Sequence, residues 1–335
     1  MTTETKITWA AGRPRATFRK PFAASICTAL LAAAVVGVAA PAASQESPTY
    51  KSPPKIILRQ VAPDLHFLFD FSSSNASFLV TEEGVLVVDT RQHVRDGEDL
   101  VARIRKVTDK PIKWVVNSHF HADHYLGNPA FKAAGATIVA HRETAMLMQK
   151  MHAKEISRRG GFFKRRGYDP KDVRLVTPDV TFDSEMTIRL GGREIRLVYL
   201  GPGQQIGDTF VVFPHNRAMH TPGAFARRSW ANTVFTPSVE GWVDVLRKVS
   251  AMDVDVVLPA HGDVAKRADV GELSQFLLEQ YSAVKAAVAK GMSADETVKA
   301  LPFEKYKDWR NYARRGHSIR SLHELIATGK AAYFK

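Results

Sequence analysis

Apolar and polar positions along this chain change period repeatedly, and each change predicts an element. Phe78-Leu79-Val80-Thr81 and Val85-Leu86-Val87-Val88 are apolar runs separated by Glu82-Glu83-Gly84, which predicts a hairpin. Leu100, Ile104 and Val107 fall at helical spacing within residues 99–107. Ile112-Lys113-Trp114-Val115-Val116-Asn117 predicts a short strand. A short helix over 128–134, stopped near Gly135, a strand over 137–140 and a helix over 143–152 follow. Residues 180–213 are rich in β-like runs, residues 243–249 predict a helix, and Val257-Leu258-Pro259 a strand. From there the pattern is helical. Leu273, Phe276, Leu277, Tyr281, Val284 and Val288 share one helix over 271–289, and Ser293-Ala294-Asp295-Glu296 is a capping box that opens another. Residues 306–312 and 319–333 complete the helical tail. Strands alternating with helices predict a mixed α/β chain. No solenoid-like period is present.

Two segments stand apart from this alternation. Residues 13–20 carry Arg13, Arg15, Arg19 and Lys20, residues 22–40 are apolar, and small residues follow at Ala40-Pro41-Ala42-Ala43-Ser44. That is the form of a signal peptide with cleavage near residue 44, which predicts a periplasmic or secreted protein. The alternative is an uncleaved segment that anchors the chain in a membrane. The single cysteine, Cys27, lies inside this stretch, so a cleaved chain has neither disulfide nor thiolate ligand. Removing residues 1–44 takes five basic and one acidic residue from totals of 47 and 34 and leaves a net charge near +9. A positive surface attracts anionic ligands or surfaces, but no nucleic-acid motif accompanies it, and no nucleic-acid partner is expected.

The second segment, residues 154–174, holds eight basic and three acidic residues together with Gly160-Gly161 and Phe162-Phe163. It reads either as a basic lid that contacts an anionic ligand or as an exposed insertion with solvated charges. The second is the plainer expectation.

Candidate chemistry concentrates in Ser118-His119-Phe120-His121-Ala122-Asp123-His124, where three of the chain's 12 histidines and one aspartate occupy six positions. Imidazole nitrogen and carboxylate oxygen are ligands for Zn²⁺ and related ions. His119 and His121, two apart in an extended segment, point the same way. Asp123 and His124 fall on the turn that follows, beside a second position for an ion.

With this loop the sequence resembles the metallo-β-lactamase superfamily of metal-dependent hydrolases. Gly84-Val85-Leu86-Val87-Val88-Asp89-Thr90 resembles the strand ending in an aspartate behind the metal site. Leu200-Gly201-Pro202-Gly203 with Gly207-Asp208-Thr209 resembles the segment of the third histidine, and Val257-Leu258-Pro259-Ala260-His261-Gly262 that of the last. Order and spacing agree from about residue 61 to residue 262. Two positions depart: Gln204 stands where the family usually has histidine, and Gly223 where it has an aspartate bridging two metals.

The resemblance implies a four-layered αβ/βα sandwich with its metal loops at one edge, over residues 56–265. Residues 1–44 precede it as the signal segment, 45–55 as a linker, and 266–335 follow as a helical extension. It implies metal ligands among His119, His121, Asp123, His124 and His261, with Asp123 also placed to orient the attacking water. Gln204, His220 and Asp208 are weak or substitute candidates, and Asp89 is expected to hydrogen-bond a histidine from behind. Because Gln204 and Gly223 remove an imidazole and a bridging carboxylate, the expected cofactor is one tightly held Zn²⁺ on Asp123, His124 and His261, with a weak or absent second site. The implied substrate is a small molecule with an ester, thioester, lactone or β-lactam bond. The alternative is a catalytically impaired member that binds a ligand or partner in the former active-site pocket.

Overall fold

The computed structural model describes residues 56–334. The signal segment, Cys27 and the linker lie outside the described residues. Within them, a seven-stranded sheet runs in sequence order through β1 (Ile56–Gln60), β2 (Leu65–Asp70), β3 (Ala76–Val80), β4 (Val85–Val88), β5 (Ile112–Asn117), β6 (Thr137–His141) and β7 (Val180–Phe182). Its first four strands pair antiparallel, as short hairpin connections require; β4 to β7 pair parallel, with helices crossing between them. A six-stranded sheet follows, formed by β8 (Glu185–Leu190), β9 (Arg193–Tyr199), β10 (Thr209–Phe213), β11 (Ala218–Thr221), β12 (Val256–Pro259) and β13 (Ala265–Lys266). Only β11 and β12 are parallel in it.

The helices are α1 (Val94–Arg105), α2 (Ala122–Tyr125), α3 (Asn128–Ala133), α4 (Arg142–Arg166), α5 (Val239–Ala251), α6 (Arg267–Ala289), α7 (Ala294–Ala300) and α8 (Arg315–Thr328). Alternation along each strand divides the core into layers. Leu86 and Val88 of β4 face Leu197, Val211 and Leu258 between the two sheets. Val85 and Val87 point the other way, against Leu100 and Ile104 of α1 and Phe131 of α3. On the far side, Phe210 and Val257 meet Trp242 and Leu246 of α5 and Phe276 of α6. The result is the expected αβ/βα sandwich with helices α6 to α8 as its C-terminal extension. Each such buried side chain contributes about 1.5–3 kcal/mol of transfer free energy.

Four expectations change. Helix α1 begins five residues before residue 99, because the His93 side chain accepts the Arg95 N–H and caps it there. Residues 154–166 are not an insertion loop. They continue α4 through Gly160 and Gly161, and the helix ends only at Gly167, whose φ of 66° supplies the left-handed C-cap. Residues 306–312 form no helix: Phe303 and Asn311 sit at φ 51° and 63°, flanking short 3-10 turns. The aromatic spacing there serves packing instead, with Tyr306 and Trp309 ring centroids 4.6 and 4.9 Å from Phe276. The last helix likewise stops at Gly329 (φ 69°), short of residue 333.

Candidate metal centre

Loops leaving the C-terminal ends of β4, β5, β11 and β12 gather at one edge of the sandwich. Asp89 follows β4 in a left-handed conformation (φ 64°), which aspartate tolerates better than most residues. Its two carboxylate oxygens are fully engaged. Oδ1 accepts the Ser118 N–H at 2.7 Å; Oδ2 accepts the Ser118 hydroxyl at 2.7 Å and His124 Nδ1–H at 2.6 Å. Burial opposes its charge, but His124 and His220 hold the carboxyl well below the ordinary range. The expected role of Asp89 behind the loop is what the geometry displays.

This network sets the tautomers. His124 gives its Nδ1 proton to Asp89, so its Nε2 is the nitrogen turned toward His261 and Asp123; burial opposes charge on the ring, but Asp123 and Asp89 together raise its pKa above the usual value. His261 Nδ1 lies 3.2 Å from the Ser73 carbonyl, which can only accept, and burial lowers the ring's pKa to about 4, so its Nε2 is proton-free. These two nitrogens face each other at 3.1 Å. Asp123 Oδ2 lies 3.3 Å from His261 Nε2 and 3.6 Å from His124 Nε2. One oxygen and two nitrogens thus converge, and one ligand atom from each lies within 4.8 Å of the others. Such a cluster could hold a cation. A carboxylate with two imidazoles is a donor set that suits Zn²⁺ and leaves a position open for water. The His261 side chain is 34% exposed, so this group opens onto the cavity beside it.

His119 and His121 are also buried here, but differently arranged. His119 Nδ1 bonds the Ser118 oxygen at 2.9 Å, which leaves Nε2 without a hydrogen-bond partner among the described residues. Burial, then the neighbouring His124, pushes its pKa well below the usual value. His121 Nδ1 lies 3.3 Å from the Gln205 side-chain amide. His121 Nε2 has no hydrogen-bond partner among the described residues.

The substituted positions explain one another. A Cβ built on Gly223 would collide with Gln204 Oε1 and come within 3.2 Å of His119 Nε2. The Gln204 amide, whose Nε2 donates to the Asn232 carbonyl at 3.4 Å, therefore fills the space that a side chain at 223 would use. The other candidates do not join the cluster. Asp208 is fully buried and accepts the Gln205 backbone N–H at 3.1 Å, and burial pushes its carboxyl up to about 8. His220 Nδ1 bonds Ser77 at 2.9 Å while its Nε2 lies 3.6 Å from Asp89.

Several functional side chains gave no sequence signal. Arg159 of α4 pairs with Asp123 Oδ1. Glu155, one helical turn earlier, accepts the Ala122 N–H at 2.9 Å at the start of α2, and the Tyr333 hydroxyl at 2.7 Å. Asn75 ties down the His261 loop by donating to the carbonyls of Pro259 and Gly262 at 2.8 and 2.7 Å. The basic run at 154–174 was visible in the sequence. The helix register that turns Arg158 and Arg159 toward the cavity was not.

With this fold and this loop geometry, the chain belongs to the metallo-β-lactamase superfamily, a group of hydrolases; residues 69–261 match the family. It is similar to the linear primary-alkylsulfatase of Pseudomonas sp. (strain ATCC 19151), at 24% identity over 286 residues, covering 72% of this chain and 53% of that protein. It is also similar to the 2,4-dinitroanisole O-demethylase subunit alpha of Nocardioides sp. (strain JS1661), at 25% identity over 54% of this chain and 50% of that one. A third relative is the metallo-beta-lactamase type 2 of Elizabethkingia meningoseptica, 24% identical over 44% of this chain and 50% of that one. The chain spans about half the length of these curated relatives. Among solved structures, the metallo-beta-lactamase from Pontibacter korlensis superposes with a TM-score of 0.55 at 19% identity, over 67% of this chain and 99% of that one. At that identity the likeness speaks to the fold.

Proposed function

We propose that the chain hydrolyses a small-molecule ester with one tightly held Zn²⁺ on Asp123, His124 and His261. The observation that carries this reading is the meeting of two imidazole nitrogens 3.1 Å apart with a carboxylate oxygen beside both. Zn²⁺ in such a site supplies hydroxide near neutral pH and polarises the bond under attack. Every other role falls to the protein. Asp89 and the Ser73 carbonyl fix the tautomers of His124 and His261. Asp123 supplies a ligand oxygen and, because it lines the cavity, orients the attacking water. Arg159 fixes that carboxylate from its other oxygen. The basic residues of 154–174 that line the cavity favour an anionic ligand at its mouth. The alkylsulfatase relative makes sulfate esters the class to test first. The protein works outside the cytoplasm, after cleavage near residue 44 of its positively charged, then apolar leader.

Turnover of nitrophenyl acetate, phosphate and sulfate, before and after chelation, tests this reading. Hydrolysis of at least one ester should vanish with the metal, return with added Zn²⁺ and be absent in His261→Ala. One tight ion with no turnover on any ester would instead favour a pocket that binds without hydrolysing.

A further inference from the structure

A cavity of about 440 Å³ opens over Asp123 and His261, a size typical of small-molecule sites. Five arginines line it. Arg158, Arg159 and Arg165 come from α4, while Arg310 and Arg314 come from the stretch between α7 and α8. Asp123 is the one carboxylate among the lining residues. Arg159 is taken up by Asp123, and Arg158 pairs with Glu155 at 2.7 Å. The other three form no ion pair with a carboxylate among the described residues. Arg165 lies over the Phe162 ring at 5.9 Å, and Arg310 donates to the Phe71 carbonyl at 3.0 Å. Arg310 is half-buried, and burial lowers its pKa, yet a guanidinium stays charged under any ordinary condition. Unpaired guanidinium groups from two separate stretches of chain meeting on one cavity make a strongly positive cleft, which draws anions in. Guanidinium also matches a sulfate or phosphate head through paired N–H donors. Phe162 is the partly exposed apolar side chain of the lining, while Trp230, Trp242 and Leu273 reach it from the buried core.

We infer that this cavity selects organic esters of a tetrahedral oxyanion, a sulfate or a phosphate. Arg165, Arg310 and Arg314 hold the charged head, and Phe162 meets the organic group. The word ester rests on the hydrolase reading above; the grip on the anionic head does not.

Calorimetric titration of the purified full chain with octyl sulfonate and octyl phosphonate tests the grip, because neither can be hydrolysed. Octyl methyl sulfone is the uncharged control. At least one anion should bind more tightly than the sulfone by about tenfold or more, and that margin should shrink as salt is raised. The preferred anion distinguishes a singly charged sulfate head from a doubly charged phosphate head. R310Q/R314Q should weaken anion binding about tenfold while metal content and melting temperature hold. R165Q, on a different element, is the second variant should the first not fold. Equal binding of anion and sulfone, or anion binding unchanged in these variants, would overturn the inference. If neutral esters are hydrolysed but no anion binds, the inference fails and the hydrolase reading stands. If anions bind as described but no ester is hydrolysed, the hydrolase reading fails and the anion site stands.

Discussion

The Arg159 guanidinium sits on one carboxylate oxygen of Asp123 and leaves the other facing His124 and His261. Burial opposes the Asp123 charge; Arg159, before the nearby imidazoles, holds its carboxyl well below the ordinary range. The same arginine places a positive charge beside the proposed metal position. At an effective dielectric of about 20, two unit charges about 4 Å apart interact by about 4 kcal/mol. That exceeds what fixing one carboxylate rotamer contributes, about 1 kcal/mol. Arg159→Gln should therefore bind Zn²⁺ more tightly, by about tenfold or more, while turnover falls. Competition with a metallochromic chelator reads the affinity. Weaker binding in the variant would show that orientation outweighs repulsion.

Gln204 and Gly223 form a matched pair, since the amide occupies the space above the glycine. Gly223→Asp alone should cost about 1–3 kcal/mol through overpacking, seen as a lower melting temperature. Combining it with Gln204→His, and with Pro222→Gly to relax the loop, should recover much of that loss once metal is added. The combined variant should take up a second ion. A single Gly223→Asp protein that melts like its parent would contradict the packing account.

Asp208 offers a test by pH. Burial raises its carboxyl to about 8 in the fold, above the ordinary 3.8. Between those values the folded chain keeps a proton that the unfolded chain has released. Stability from this group is therefore present at low pH, falls as pH rises through the window and levels off above it. Asn cannot ionise and keeps an acceptor for the Gln205 N–H. Asp208→Asn should thus gain on its parent between about pH 5 and about pH 8, by up to about 1.4 kcal/mol per pH unit. Urea unfolding of both proteins near each end of that range measures the difference. A constant difference would mean that Asp208 is already ionised in the fold.

Local pattern and motif carried much of the fold. The β4 run, the β5 strand and the α6 periodicity are short-range properties, so each is visible in a window of residues. Tertiary packing decided the rest. Helix α4 runs through Gly160 and Gly161 because Leu147, Met148 and Phe163 bury against the metal loop, which a glycine pair in isolation would not suggest. Tyr306 and Trp309 imitate helical spacing while packing on Phe276 from irregular backbone. In the site, the histidines and Asp123 are close in sequence and could be read together. Arg159, Glu155, Asn75 and Arg310 reach it from distant positions, and only the folded chain brings them in.

The central claim is a single cation site built on Asp123, His124 and His261, with His119 and His121 outside it. Elemental analysis of the purified protein, paired with chelator competition, tests this most directly. The account predicts close to one tightly held Zn²⁺ per chain, loss of tight binding in His261→Ala and a far smaller effect in His119→Ala. Two tightly held ions in the unmodified protein, or equal losses in the two variants, would contradict it.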